Sequence, residues 1–141
     1  MERLVEFATN HPLLVLGTVG VIAAIIANEI YLRIQARDAV DPDTATRLYN
    51  REDAVFVDVR DENAFVSAHL PGAINAPGTH LEQHRDRLER ARGHPVIVYG
   101  NGGGLASTVQ AIRGMGHEPV YQLRGGFPAW AENGLPTEGR G

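Results

Sequence analysis

The chain contains neither cysteine nor lysine. Without cysteine there are no disulfides, no thiolate metal sites and no chain sulfur to act as a nucleophile, although the compartment stays open. Without lysine, all thirteen basic residues are arginine. They are scattered, as a coding bias would leave them, rather than gathered for bidentate anion contacts. A clustered basic face is also missing, and with a net charge of -4 and a pI near 5.8 this argues against a nucleic-acid partner. No internal repeat or low-complexity tract is present apart from one glycine cluster. The 141 residues fit one domain, and about a hundred of them outside the apolar segment suffice for one modest core.

What is present first is an uncharged apolar run from Leu13 to Ala27, which resumes at Ile30, Tyr31 and Leu32 after Asn28 and Glu29. A helix from Pro12 to Leu32 would rise about 31 Å, close to one hydrocarbon thickness, so a membrane-spanning helix is expected over 12–32. A signal peptide fits less well, because Met1 to His11 carries one arginine against two glutamates and no A-x-A pattern follows the run. A core helix without a polar stripe would need wrapping on all sides, which so small a domain does not supply. Arg3 precedes the span, whereas Arg33, Arg37 and Arg47 follow it. That excess puts the following domain in the cytoplasm and the N-terminus outside, in a single-pass arrangement suited to a bacterial inner membrane. Glu29 is placed to pair with Arg33, four residues on. Gly20, Ala24 and Asn28 recur at four-residue spacing, a face that allows helix–helix association within the bilayer. The expected organisation is an N-terminal tail (1–11), the span (12–32), a short linker (33–40), a globular domain (41–137) and a C-terminal tail (138–141).

Within the domain, Asp41-Pro42 reads as an N-cap and first helical residue, opening a helix to about Tyr49. Ala54 to Val57 is a buried-strand pattern ending at Asp58. A brief helix near Glu62 to Ala68 and an extended Ile74-Asn75 follow. Thr79 and Glu82 form a capping-box pattern before a helix to about Arg92. Val96 to Tyr99 is a second strand; Leu105, Val109, Ile112 and Met115 give the next helix its apolar stripe, and Gly116 stops it. Val120 to Leu123 is a further strand, and Pro128 to Glu132 a terminal helix. Strands alternating with helices predict an α/β fold with a central parallel sheet flanked by helices.

Three segments carry a recognisable pattern. The first comprises Asp58-Val59-Arg60, Phe65, His69-Leu70-Pro71-Gly72-Ala73-Ile74-Asn75 and Pro77. The second is Tyr99-Gly100-Asn101-Gly102-Gly103-Gly104-Leu105-Ala106, between a strand and a helix. The third is Gly125-Gly126-Phe127-Pro128-Ala129-Trp130 followed by Gly134-Leu135-Pro136. Together they resemble the rhodanese family, from about Asp41 to Thr137. The resemblance implies a small α/β sulfurtransferase-type domain in which Tyr-Cys-x-x-Gly-x-Arg-Ser forms the active loop. Tyr99 and Gly103 match that loop, but Gly100 stands at the cysteine, Leu105 at the arginine and Ala106 at the serine. Ala64 and Ala68 depart from the usual glutamate and glycine of the first segment. By the same resemblance Asp58 and Arg60 chiefly hold the fold together, and His69, Gly72, Asn75, Gly125, Gly126 and Trp130 are structural signature positions.

The loop cannot carry persulfide. It is not a dinucleotide fingerprint, since only the first two glycines of G-x-G-x-x-G are in register, nor a P-loop, which needs a lysine. The helix opening near Leu105 lacks a capping side chain, so its first amides face the loop, making Gly100 to Leu105 a candidate anion-binding loop; Asn101 folding back as a cap is the competing arrangement. Asp58 lies on the loop's side of the sheet but has no nucleophile to activate. His80 and His84 have metal-ligand spacing on a predicted helix, yet His80-Leu81-Glu82-Gln83-His84 lacks the zincin glutamate position, and no metal or cofactor is expected. Trp130 is expected to fill the core. Two functions are consistent with these residues. One is a membrane-anchored domain without catalysis that docks a protein partner or holds an anion at the cytoplasmic membrane face. The other is an enzyme, either a sulfurtransferase borrowing a partner's cysteine or a hydrolase using Asp58 and a histidine.

Overall fold

The structure, a computed structural model, describes residues 1–102 and 104–139, with the side chains of 34–37 left aside. The chain forms two compact units that part between Arg37 and Asp38. In the first, α1 (Glu2–Asn10) is followed by α2 (Pro12–Arg37). The break falls at His11 (φ -131, ψ 61). Pro12 explains it, because a proline drives the residue before it out of the helical region and lacks an N–H of its own. Within α2, the segment Pro12–Arg33 is long and apolar enough to cross a membrane, and none of its apolar window is buried, unlike a core helix. Arg33 Nε donates to Glu29 at 3.2 Å, the pairing expected from their spacing.

The second unit is a five-stranded, all-parallel sheet in the order β1-β5-β4-β2-β3. Its strands are β1 (Ala39–Val40), β2 (Val55–Asp58), β3 (Ile74–Asn75), β4 (Val96–Tyr99) and β5 (Val120–Leu123). Between them run α3 (Pro42–Glu52), α4 (Glu62–Ser67), a short α5 (Arg85–Leu88) and α6 (Ala106–Gly114), and α7 (Gly126–Glu132) follows the last strand. The α/β parallel-sheet expectation is met. Asp41 caps α3 by accepting from Thr44 N at 2.8 Å, with Pro42 in its first turn.

Side-chain alternation along the central strands fills two cores, one on each sheet face. Val57, Val96 and Val98 join Val109 and Ile112 of α6 on one face. Phe56, Ile97 and Tyr99 join Leu70 and Trp130 on the other.

Four boundaries differ from those expected from the sequence. The linker 33–40 is taken up by the end of α2 and by β1, which is anchored to β5 through Gln122 N to Asp38 O (2.7 Å) and Arg124 N to Val40 O (2.8 Å). The tail 1–11 contains a helix. Glu138, placed in the C-terminal tail, forms a reciprocal antiparallel bridge with His69. The helix expected from Thr79 to Arg92 is broken into a 3-10 segment (Gly78–His84), α5 and a 3-10 turn (Glu89–Ala91). There the capping box does not form. Gly78 N is drawn to Val59 O (3.1 Å), Thr79 Oγ1 meets His80 Nδ1 (2.7 Å), and His80 is non-helical at φ -138, ψ 40.

Candidate functional site

The register of the sheet sets Asp58 beside Tyr99 on one flank and Asn75 on the other, so the carboxyl ends of β2, β3 and β4 lie side by side. Ligands of parallel α/β sheets bind beyond that edge. Gly100 is the next residue after β4, and the loop that it opens leads into α6, where the sequence places it.

Asp58 is fully buried, and every bond to its carboxylate comes from the scaffold. Arg60 donates from its backbone N (2.9 Å), from Nε to both oxygens (3.1 Å each) and from Nη2 (2.7 Å); the Tyr99 hydroxyl donates at 2.7 Å. The same hydroxyl accepts from Leu70 N at 3.1 Å, and Arg60 Nη2 reaches Ala68 O at 2.6 Å. Asn75 Nδ2 donates to the carbonyls of Asp58 and Arg60, 3.1 Å each. Burial and the Asp58 charge push the Tyr99 phenol far up. Burial works to lower the Arg60 guanidinium, but its bonds to Asp58 outweigh this and raise it. The Arg60 guanidinium also lies over two rings, 4.3 Å from the Phe127 centroid and 5.6 Å from that of Tyr99. Two charges, one phenol and one amide thus satisfy one another inside the fold, as buried ionic groups require. The sequence signalled Asp58, Arg60 and Asn75 as structural; Tyr99 and Phe127 were missed as members, since only the parallel register brings them there.

The loop belongs to the other sheet face. A Cβ built on Gly100 would stand 3.6 Å from Leu105 Cδ2 and 3.6 Å from Val59 Cγ2, both partners of the valine core. Asp58 and Tyr99 point the opposite way, into the aromatic core or the network above it. The leucine that replaces the expected arginine therefore lies against the floor where a nucleophile would be mounted. Among the described residues, the cations bonded at this sheet edge are spent on the scaffold: Arg60 on Asp58 and Ala68 O, and Arg87 on Asn75 O at 3.3 Å. No histidine among the described residues is bonded to the Asp58 carboxylate, whose partners are Arg60 and Tyr99.

The closing segment pins the loop from above. Phe127 N donates to Gly100 O at 2.8 Å. A Cβ at Gly126 (φ +63) would collide with Gly100 O and stand 2.8 Å from Gly102 N, so only glycine allows this approach. Gly125 (φ +78) is constrained similarly by Ala129 Cβ, 2.6 Å from where its own Cβ would be. Trp130 is 2 % exposed, meets Phe56 edge-on at 5.3 Å and donates Nε1 to Pro136 O at 2.8 Å. His69 stacks on Phe65 with centroids 4.0 Å apart, contacts Phe65 O through Nδ1 (2.8 Å) and sits 3.5 Å from the Glu138 carboxylate. Gly72 takes φ +67, and its N donates to Glu138 at 3.3 Å.

No side chain caps α6, whose N-cap position is Leu105, so Asn101 does not fold back onto it. The candidate anion-binding residues Gly100, Asn101, Gly102, Gly104 and Leu105 are thus together at the sheet edge, while Gly103 lies outside the described residues. His80 and His84 do not share a helical face, and among the described residues no cluster of three or more histidine, aspartate or glutamate side chains is arranged to hold a metal. A residue without a sequence signal is His117, 3 % exposed with Nδ1 unbonded; its imidazole is held below the usual range by burial and then by Arg92.

Residues 41–133 match the family model described as the Rhodanese-like domain. The Escherichia coli protein YibN is 29% identical over 138 residues, 96% of each chain. The thiosulfate sulfurtransferase GlpE of Pseudomonas putida is 33% identical over 95 residues, 64% of this chain and 82% of its own. Among solved structures, the rhodanese-like domain of an Anabaena protein superposes with a TM-score of 0.61 at 32% identity, covering 72% of this chain and 79% of that one.

Proposed function

Since the chain belongs to the rhodanese-like domain family, we propose that it is a membrane-anchored member without catalysis, docking a protein partner at the cytoplasmic face of a bacterial inner membrane. The observation that carries this reading is the leucine-covered floor at Gly100. A sulfur relay needs a thiolate and a positive environment to hold it; here the first is a glycine and the second a leucine packed at van der Waals distance from where Cβ would be. The scaffold around it is intact: the closing segment still grips the loop, and the Asp58–Arg60–Tyr99 network still sets the sheet edge. A fold that keeps the platform and drops the reactive atom is suited to presenting a surface.

The membrane part of the reading is supported by α2 and by YibN, whose match over 96% of this chain takes in most of that helix as well as the domain. Because α2 ends at Arg37 and β1 starts at Ala39, one residue joins them. The arginines after the span set its orientation.

A photo-crosslinker at Asn101, exposed in the loop, tests docking in intact membranes. Discrete protein adducts, lost when Leu105→Asp is added, are the expected result. Adducts unaffected by Leu105→Asp, or none at all, refute docking through this loop. A second reading, an anion held by the uncapped start of α6, draws on the family loop and on the absent cap. Weakening of the adducts by millimolar thiosulfate or phosphate would favour it.

A further inference from the structure

The segment before the span is not a featureless tail. In α1, Leu4, Phe7 and Ala8 fall at three- and four-residue spacing on one side, with Val5 at its margin, and Glu2, Glu6 and Asn10 fall at four-residue spacing on the other. The apolar members face no core: Leu4, Val5 and Phe7 are 70%, 65% and 53% exposed. Thr9, between the two sides, satisfies its hydroxyl on Val5 O at 2.8 Å.

The bend at His11 says what covers that side. Phe7 of α1 and Leu14, Val15, Thr18 and Val19 of α2 line one apolar concavity of about 270 Å³. Phe7, at the end of the apolar side of α1 nearest the bend, therefore lies within the angle between the helices and joins that side to the surface of the span. With α2 in hydrocarbon, the inner side of that angle is the membrane side. Only His11 separates the two helices, so α1 has no length in which to leave the bilayer surface.

From this continuity, and resting on the membrane reading above, we propose that α1 is an interfacial helix. It lies along the bilayer surface with Leu4, Phe7 and Ala8 directed into the acyl region and Glu2, Glu6 and Asn10 in water. Such helices seat their apolar face about 5–10 Å into the headgroup boundary. Glu2 and Glu6 outnumber Arg3, so the attraction is apolar and needs no anionic lipid. The consequence is a fixed depth for the start of α2, with α1 acting as a float on the outer side.

The absence of cysteine makes the test clean, because each introduced thiol is the only one in the chain. Nitroxide labels are placed one at a time through Glu2→Cys, Leu4→Cys, Glu6→Cys, Phe7→Cys, Ala8→Cys and Asn10→Cys in the full chain, reconstituted in phosphatidylcholine vesicles, with Val21→Cys as the mid-span control. The expected result is an oxygen-to-nickel accessibility ratio that oscillates with helical period. It is several-fold higher at 4, 7 and 8 than at 2, 6 and 10, and highest at 21. Uniform aqueous accessibility along α1 with a deep label at 21 overturns the proposal and leaves the membrane reading standing. An aqueous label at 21 overturns both. Dipolar broadening at Phe7→Cys that is relieved by diluting with unlabelled chain assigns the face to a second copy and likewise overturns it.

Discussion

Restoring the thiol at Gly100 isolates what the loop can do to an anion. Gly100 is not in the left-handed region, and a Cβ there would make ordinary contacts at 3.6 Å with Leu105 and Val59, so Gly100→Cys fits without backbone strain. The new thiol sits between two apolar side chains, and the guanidinium of Arg60 at the same sheet edge is committed to Asp58. A free cysteine titrates near 8.5, and apolar surroundings raise it, so no more than about a tenth of this thiol is ionised at pH 7.5. Adding Leu105→Arg replaces the covering leucine by a cation. An opposite charge within about 4–6 Å lowers an acid by about 1–3 units, so the double variant should titrate at least about one unit below the single one, with about tenfold more thiolate at neutral pH. Thiolate absorbance near 240 nm against pH reads this directly, since the chain has no other cysteine. The alkylation rate with iodoacetamide gives an independent profile. A single variant titrating below about 7 would refute the reasoning, because the first amides of α6 would then stabilise an anion unaided. Identical titrations of the two variants would refute the role given to Leu105.

Other expectations follow from the same geometry. Asp58→Asn leaves Arg60 buried beside a neutral group, and breaking such a pair costs about 3–5 kcal/mol; urea unfolding followed by Trp130, the sole tryptophan, should show that loss, and one below about 1 kcal/mol would contradict a structural role for the network. His117 is buried and its imidazole is lowered from 6.5. The unfolded chain therefore binds this proton first, and the stability tied to the neutral ring is complete above about pH 6.5 and lost as pH falls below it. His117→Phe should flatten the fall in stability just below pH 6.5, and equal slopes in the two proteins would rule that linkage out. In membranes, Gly20→Leu should abolish a crosslink between copies if α2 associates through Gly20 and Ala24; an unchanged crosslink would dismiss that face.

Strands β2 and β4 and the helix α3 were legible because their signals are local: continuous apolar runs, and aspartate followed by proline. The strand β1 was not, because two residues become a strand only through bonds from Gln122 and Arg124 across the fold. Thr79 and Glu82 carried a sound local pattern that lost to a tertiary bond, Val59 O taking the amide of Gly78. For the site, the substitution at Gly100 was plain, and so were the glycines at 125 and 126. Their reason was not, since it lies in how closely the closing segment approaches the loop backbone. Leu105 was readable as a missing arginine but not as the side chain covering Gly100, which depends on the turn into α6. The spacing of Leu4, Phe7 and Ala8 was visible in the sequence, yet nine residues beside a much stronger apolar run are easily read as its flank.

The central claim is that this platform no longer moves sulfur. The direct measurement is thiocyanate formation by the full-length chain in membranes supplied with thiosulfate and cyanide. Rates indistinguishable from protein-free vesicles are predicted, whereas turnover by the unmodified chain that disappears with Leu105→Asp would contradict the claim outright.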